Sequence, residues 1–353
     1  MTVIAAVHPV LPEHRYPQRD ITELFAQLIG DPARAAVMRR LHGAAGVRSR
    51  HLAVPLERYP ELADFTESND VFIASAVELG AEAVTGAVKQ AGLSMHDVDL
   101  VVSTTVTGIA APSLEARIAN RVGLRPDVKR MPMFGLGCVA GAAGVARLHD
   151  YLRGDPDGVA VLLSVELCSL TVQRGDSSTA NLVASGLFGD GAAAVLAVGD
   201  RRAESLAETG PRVVDSISHL YPDTERTMGW DVTSGGLKIV LSADVPSLAR
   251  EHLGVDVDRF LARHGVTVDD ISTWICHPGG PKVIEAIQDV LDVGPHELRH
   301  TWDSLAEVGN LSSASVLDVF ARTLAQPDPP EGLGVLMAMG PGFCSELVLL
   351  DWR

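Results

Sequence analysis

Three residues have side chains and neighbours suited to acyl-transfer chemistry: Cys138, His277 and Asn310. Cys138 lies in segment 135–144, where glycines permit a sharp turn and Ala and Gly residues permit a tightly packed helix. The N-terminus of a helix favours a thiolate over a thiol. The segment therefore predicts a nucleophilic Cys138 thiolate, although a buried structural cysteine would give the same pattern.

His277 and Asn310 are candidates for the base and for a hydrogen-bond donor. His277 follows the apolar run Ile271–Cys276 and precedes Pro-Gly-Gly-Pro, which predicts an imidazole at the carboxyl end of a strand, where α/β folds bind ligands. The pKa of histidine suits pairing with a thiol near neutrality. The Asn310 amide could donate to an oxygen that becomes negative during a reaction, but asparagine is also a common helix N-cap.

The elements that must position these residues recur along the chain. In the first half, the predicted order is helix 72–91, strand 98–103, a helix from 112, the helix of Cys138 and strand 159–164. In the second half, it is helix 245–264, strand 271–276, a helix from 281, the helix of Asn310 and strand 333–337. Asp97 precedes Cys138 by 41 positions, and Asp270 precedes Asn310 by 40.

This recurrence predicts an α/β fold in which one β/α unit is duplicated, with Cys138 and Asn310 at equivalent helix starts. Two such units side by side would form a five-layered αβαβα sandwich. A loop-rich stretch at 199–210 suggests halves at residues 1–210 and 211–353.

Composition excludes several classes of protein. The 353 residues are 46% hydrophobic and 21% charged, which is typical of a globular enzyme-sized chain. The net charge of −16 disfavours nucleic acid and anionic membrane as partners. We expect no signal peptide and no membrane span, because no apolar run is long enough. Four scattered cysteines suggest reduced thiols and therefore a cytoplasmic protein. Cys276 and His277 lack partners at metal-ligand spacing, so no metal is predicted.

Five motifs occur in the order and spacing of a known family: Gly137-Cys138, Leu187–Gly191, His277–Pro281, Gly309–Ser313 and Met339–Gly342. On these motifs the sequence resembles the type III polyketide synthases, the chalcone synthase-like branch of the thiolase fold, over nearly the whole chain. Within that family it looks most similar to bacterial enzymes that make alkylpyrones or alkylresorcinols from fatty acyl-CoA starters.

The resemblance implies an acyltransferase that works without a cofactor, because CoA thioesters are its substrates. Cys138 would accept an acyl group from an acyl-CoA starter. Malonyl-CoA or methylmalonyl-CoA would lose CO₂, and His277 and Asn310 would stabilise the resulting enolate. Repeated condensation and cyclisation would give a pyrone or resorcinol-type product. A homodimer is also implied.

Further site residues follow from the resemblance. Phe188 matches a phenylalanine that gates the passage between the CoA tunnel and the reaction cavity. Ile239 replaces a second gating phenylalanine, Ala111 replaces a methionine that plant members insert across the dimer interface, and Trp230 replaces a glycine. These departures predict a cavity reshaped into a tunnel for a long acyl chain.

The remaining candidates are weaker. Cavity-lining positions correspond to Thr107, Cys168, Thr171 and Ser312, although Cys168 as an inert core thiol and Ser312 as a helix cap are equally simple interpretations. Arg40 matches a cation that contacts CoA phosphate. Its lysine companions in plant enzymes correspond to Val37 and Ala44, so the CoA contacts are predicted to be fewer or relocated.

Two alternative functions predict motifs that differ from those of this sequence. A single-round condensing enzyme of the ketoacyl synthase III kind shares the Cys, His and Asn, but its histidine is normally followed by Gln-Ala-Asn, and it lacks the Gly-Pro-Gly found at 340–342. A non-catalytic thiolase-fold partner would be expected to lose its nucleophile, whereas Cys138 is present.

Overall fold

The computed structural model describes residues 2–173, 175–207 and 210–352, which form a mixed β-sheet flanked by helices. The strands are β1 (Thr2–Val10), β2 (His14–Pro17), β3 (Ser49–Leu52), β4 (Leu100–Thr104), β5 (Lys129–Met133), β6 (Val159–Leu167), β7 (Asp190–Gly199), β8 (Arg212–Leu220), β9 (Met228–Thr233), β10 (Gly236–Leu241), β11 (Ile271–Cys276), β12 (Gly332–Gly340) and β13 (Cys344–Trp352). The helices are α1 (Gln18–Ile29), α2 (Pro32–Gly43), α3 (Phe65–Gln90), α4 (Leu114–Val122), α5 (Ala140–Gly154), α6 (Thr179–Leu187), α7 (Asp200–Ala203), α8 (Val245–Ala262), α9 (Pro281–Leu291), α10 (Arg299–Val308) and α11 (Ser315–Leu324).

Strand pairing shows the predicted duplication directly. The large sheet has the order β11-β12-β13-β8-β1-β7-β6-β4-β5. In the first half, β1 pairs antiparallel with β7, β7 antiparallel with β6, and β6 parallel with β4. In the second half, β8, β13, β12 and β11 repeat the same three pairings in the same directions. The two halves meet where β1 pairs with β8, at Thr2 and Val213.

The helices form the remaining layers of the predicted sandwich. Helix α5 contacts β6 of the first half and β13 of the second, and α11 contacts β1 and β11, so these two helices lie between the halves. Helix α3 covers the outer face of the first half, and α8 and α9 cover that of the second. Three buried hydrophobic clusters fill the spaces between the layers. The five-layered α/β architecture is therefore confirmed.

Strand β7 shows why strands of the large sheet have continuously apolar sequences. Ala194 and Leu196 belong to the cluster beneath α3, whereas Ala193 and Val195 belong to the cluster around α5 and α11. Side chains alternate between the two faces of a strand, and both faces of β7 are buried. Small residues on this strand let the helices pack closely.

Helix α3 is long and apolar enough, by length and composition, to cross a membrane. Its Phe72, Ala76 and Val84 are buried in the cluster shared with β6 and β7. It is therefore a core helix of the sandwich.

The predicted boundary near residue 210 lies in the connection between β7 and β8. Part of that connection is α7, and residues 208 and 209 lie outside the described part of the chain. The division into halves 1–210 and 211–353 stays a prediction.

Candidate active site

Cys138 lies in a short 3₁₀ turn, Gly137–Val139, immediately before α5, which agrees with the predicted sharp turn into a helix. Gly137 has a φ of +55°, and a Cβ there would lie 2.8 Å from the Pro341 side chain, so only glycine fits. The Cys138 side chain is 8% exposed. Its Sγ lies 3.7 Å from the Ser312 Oγ, to which the thiol donates a hydrogen bond.

His277 directly follows β11, at the carboxyl end of that strand, and is 5% exposed. Its backbone N–H donates to the Met337 carbonyl over 2.9 Å, which extends the pairing of β11 with β12 by one residue. The imidazole Nδ1 is buried and has no hydrogen-bond partner among the described residues. The strand pairing therefore fixes the position of the residue that carries the imidazole.

Asn310 is oriented by both its backbone and its side chain. Its N–H donates to the Leu187 carbonyl and its own carbonyl accepts from Gly189, which joins it to the segment around Phe188. The side-chain Oδ1 accepts from the Ser312 N–H over 2.8 Å and from the Ser315 hydroxyl over 3.2 Å. Because the amide oxygen is already bonded, the amide NH₂ is the group left to face the cavity.

The predicted equivalence of Cys138 and Asn310 is wrong in register. The 3₁₀ turn that corresponds to Gly137–Val139 is Ser312–Ala314, so Ser313 matches Cys138, and Asn310 precedes that turn by two residues. A Cβ on Gly141 would lie 2.3 Å from the Ser313 carbonyl oxygen, so glycine permits the close approach of α5 to this segment. That approach brings the nucleophile and Asn310 to one site although the two are not equivalent.

The pKa values of Cys138 and His277 are both shifted by burial. Burial raises the pKa of the Cys138 thiol to about 12, and the hydrogen bonds of this thiol with the Ser312 and Asn310 side chains only partly offset the rise. Burial lowers the pKa of His277 to about 3. Both shifts favour the neutral forms of the two side chains near pH 7, and they act against the thiolate that the helix N-terminus was expected to favour.

The three candidates line one cavity of about 570 Å³. Five of the other predicted site residues line the same cavity: Phe188, Ile239, Cys168, Trp230 and Ser312. Trp230 and Ile239 are direct cross-strand partners in the hairpin of β9 and β10, which forms one wall. That wall pairs one aliphatic with one aromatic side chain.

Four predicted residues lie elsewhere. Thr107 and Thr171 line a second cavity of about 250 Å³ instead of the first. Ala111 is exposed and lines neither of these two cavities within the single chain, so an acyl tunnel at this position of the dimer interface stays a prediction. Arg40 is exposed on α2, directly before Leu41, which lines the main cavity.

The sequence reasoning missed Glu166, which lies fully buried at the end of β6. Its carboxylate accepts hydrogen bonds from the Val106 N–H and from the hydroxyls of Thr107, Ser312 and Ser313. Burial raises the pKa of this carboxyl group. Ser312 thus connects Glu166 to the Cys138 thiol. The sequence signal that could have identified Glu166 is a single carboxylate near the end of a mostly apolar strand.

Arg50 was also missed. This 1% exposed side chain donates through Nη1 to the Phe188 carbonyl over 2.6 Å and through Nε to Gln18 over 2.9 Å. Burial lowers the pKa of Arg50 to about 10, against the favourable charge of Asp190. Arg50 therefore fixes the backbone of the segment that carries Phe188 and pairs with Asn310.

Comparison with known proteins agrees with this geometry. Residues 1–201 match the family model for the N-terminal domain of chalcone and stilbene synthases, and residues 212–352 match that for the C-terminal domain. The chain therefore belongs to the chalcone and stilbene synthase family and is a type III polyketide synthase, an acyltransferase.

One curated relative and two solved structures match this chain over nearly its whole length. The chain is 56% identical to a 1,3,6,8-tetrahydroxynaphthalene synthase from Streptomyces peucetius subsp. caesius, over 99% of this chain and 93% of that protein. The crystal structure of 1,3,6,8-tetrahydroxynaphthalene synthase from Streptomyces coelicolor A3(2) matches with a TM-score of 0.93 and 31% identity, over 99% of each chain. PKS-I from the brown alga Ectocarpus siliculosus matches with a TM-score of 0.93 and 27% identity, over 100% of this chain and 98% of that one.

Proposed function

We propose that Cys138 is the acyl-carrying nucleophile of an iterative condensation, that His277 is its base, and that His277 and Asn310 together stabilise the enolate. The observation that carries this proposal is that all three line one buried, largely apolar cavity. Among the described residues, no group of three or more His, Cys, Asp or Glu side chains is placed to hold a metal ion.

In the first step, the Cys138 sulfur attacks the carbonyl carbon of a CoA thioester. Since both groups are neutral at rest, the neutral His277 ring takes the thiol proton as the carbon–sulfur bond forms. The CoA sulfur leaves as its bond to the carbonyl carbon breaks, and it takes that proton from His277, so charge is balanced. The enzyme then carries the acyl group as a Cys138 thioester.

In the second step, malonyl-CoA loses CO₂, and the electron pair of the broken carbon–carbon bond becomes an enolate. Negative charge collects on the thioester oxygen, where the imidazole and the amide NH₂ of Asn310 can each donate a hydrogen bond. The Asn310 oxygen is already bonded to the Ser312 N–H and the Ser315 hydroxyl, so the NH₂ is preoriented for this task.

In the third step, the enolate carbon attacks the Cys138 thioester, which releases the sulfur and lengthens the chain by two carbons. Transfer of the lengthened chain from CoA back to Cys138 repeats the cycle. Phe188, held through its carbonyl by Arg50, lies at the edge of this cavity and is proposed to separate the CoA arm from the growing chain.

Malonyl-CoA is proposed as both starter and extender, and 1,3,6,8-tetrahydroxynaphthalene as the product. The 56% identical relative named for that product supports this choice. Five malonyl units supply fifteen carbons, and loss of five as CO₂ leaves the ten carbons of a naphthalene, with five CoA and one water released. Such a product requires no tunnel at Ala111.

Incubating the purified protein with malonyl-CoA alone, followed by mass spectrometry, tests the proposal. Wild type should form tetrahydroxynaphthalene, Cys138→Ala should form none, and Cys344→Ala, which changes a cysteine outside the cavity lining, should remain active. A product that requires an added fatty acyl-CoA would support the alkylpyrone or alkylresorcinol alternative. A single β-ketoacyl product would support the single-round alternative, and no CoA release would contradict catalysis.

A homodimer is proposed for the same enzyme. Strand β5 is one edge of the large sheet, and Ile109, Met131 and Phe134 beside it are 45%, 43% and 61% exposed. An apolar edge of this kind is typical of a covered interface. Sedimentation of wild type as a dimer and of Met131→Glu/Phe134→Glu as a monomer would support it; a monomeric wild type would contradict it.

The four cysteines are free thiols, which supports a cytoplasmic location for the enzyme.

A further inference from the structure

The tip of the hairpin formed by β12 and β13, residues 340–343, packs against the turn that carries the proposed nucleophile. A Cβ on Gly137 of that turn would lie 2.8 Å from the Pro341 side chain. A Cβ on Gly340 would lie 2.7 Å from the backbone N of Val139. Because these contacts leave no free space between tip and turn, the position of the tip helps to set the position of the turn.

The side chain of Thr224 holds this tip in place. Its hydroxyl accepts a hydrogen bond from the Phe343 N–H over 2.6 Å and donates one to the Tyr221 carbonyl over 2.7 Å. The Tyr221 N–H donates to the Phe343 carbonyl over 2.9 Å. Phe343 is fully buried and lines the main cavity. Thr224 thus closes a ring of three hydrogen bonds between the tip and the connection from β8 to β9.

This connection is itself fixed at both ends. The Tyr221 hydroxyl donates to the buried carboxylate of Asp256 on α8, which also accepts from the Ser345 hydroxyl over 3.2 Å. At the other end, the Thr227 carbonyl accepts from the N–H of Ser242, which directly follows β10, over 2.8 Å. The connection therefore joins the outer helix α8 to the cavity hairpin and provides a rigid support for the tip.

We propose that Thr224 is a positioning residue for the condensation, because its hydroxyl holds the tip 340–343 against the turn of Cys138. This inference rests on the role of Cys138 in the proposed function. Thr224 is not among the residues that line the main cavity, so it acts on the site through the tip. A displacement of about 1 Å between reacting atoms can lower a rate about 100-fold.

Steady-state kinetics with malonyl-CoA test the proposal. Thr224→Val keeps nearly the same side-chain shape but leaves the Phe343 N–H without this acceptor. It should lower kcat about tenfold and leave KM within about twofold of wild type, because the cavity lining is unchanged. Thr224→Ser keeps the hydroxyl and should restore kcat. An unchanged kcat in Thr224→Val, or equal losses in both variants, would overturn the inference.

Alkylation of Cys138 by iodoacetamide separates this inference from the proposed function, because it requires no polyketide product. Thr224→Val should raise the alkylation rate about threefold or more, since a loosened tip opens access to a thiol that is 8% exposed. Thr224→Ser should react at the wild-type rate. This result would support the inference even if no polyketide were formed. An unchanged rate in Thr224→Val would overturn it even if the proposed product were found.

Thr267→Val is the matched control for a loss of stability alone. It also removes a threonine hydroxyl hydrogen bond, here to Asp270 at an exposed capping box outside the cavity lining. Its kcat and Cys138 alkylation rate should equal those of wild type, whatever urea denaturation shows for its free energy of unfolding. A kcat per folded molecule of Thr224→Val equal to that of wild type would show a merely structural role and would overturn the inference.

Discussion

At the scale of single residues, burial outweighs the helix field at the nucleophile. A helix N-terminus stabilises an anion by about 0.5–2 kcal/mol. The rise of the Cys138 pKa from 9.0 to about 12 corresponds to about 4 kcal/mol in favour of the thiol. Desolvation therefore favours the thiol form of Cys138 at rest, and the neutral imidazole that burial favours at His277 can accept the proton during attack.

This balance predicts how Cys138 reacts with iodoacetamide as pH changes. The alkylation rate should rise about tenfold per pH unit from pH 6 to pH 9, because the thiolate fraction of a group with a pKa near 12 grows in that proportion. Mass spectrometry of the Cys138 peptide measures the rate.

A small free thiol in the same buffers is the control, since its rate should flatten near its pKa of about 8.5. A Cys138 rate that is already constant at pH 6 would show that the thiolate forms at rest and would contradict the neutral assignment.

At the scale of elements, the hairpin of β9 and β10 shapes the cavity. It is a separate two-stranded sheet, and its Trp230 and Ile239 lie opposite one another in the cavity lining. The hairpin therefore sets the space available to the growing chain without belonging to the large sheet, whose strand β11 leads directly to His277.

Ile239→Phe is expected to shorten the polyketide. A phenyl ring beside Trp230 removes cavity volume, so chains should be released after fewer condensations. Product analysis with malonyl-CoA should show a larger share of short pyrones and less aromatic product. Val232→Phe adds the same ring at a 71% exposed position of the hairpin and is the matched control. An unchanged product distribution in Ile239→Phe would contradict this role.

At the scale of the whole molecule, the site exists only where the two halves meet. Glu166 illustrates this, because it accepts from Thr107 of the first half and from Ser312 and Ser313 of the second. One buried carboxylate thus holds together segments whose residues lie about 60 and almost 150 positions away along the chain.

Glu166→Ala is expected to lower the free energy of unfolding by about 3 kcal/mol, because it leaves several buried donors without an acceptor. Glu166→Gln keeps one acceptor oxygen and should lose less. Urea denaturation measures both. Glu82→Ala, at an exposed position of α3, is the control. A Glu166→Ala protein as stable as wild type would show that the carboxylate does not join the halves.

Much of the fold was predictable because its signals are local. Strand β11 was predicted with its observed bounds, and β6, β12 and α8 were predicted with errors of up to three residues at their ends. Helix α3 was predicted to start at residue 72 but begins seven residues earlier, at Phe65. The order of helices and strands then implied the duplication. The hairpin of β9 and β10 was not predicted, since Met228–Leu241 mixes polar and apolar residues without a clear alternation.

The sequence by itself determined which residues end up at strand ends and helix starts, because chain direction and periodicity act over a few residues. It therefore identified Cys138, His277 and Asn310 as candidates. Only the tertiary structure decided the pKa shifts of Cys138 and His277, the separation of Thr107 and Thr171 from the main cavity, and the contact of the buried Glu166 with Ser312 beside Cys138. Desolvation and hydrogen bonding depend on groups distant in sequence, and these become neighbours only when the two halves pack together.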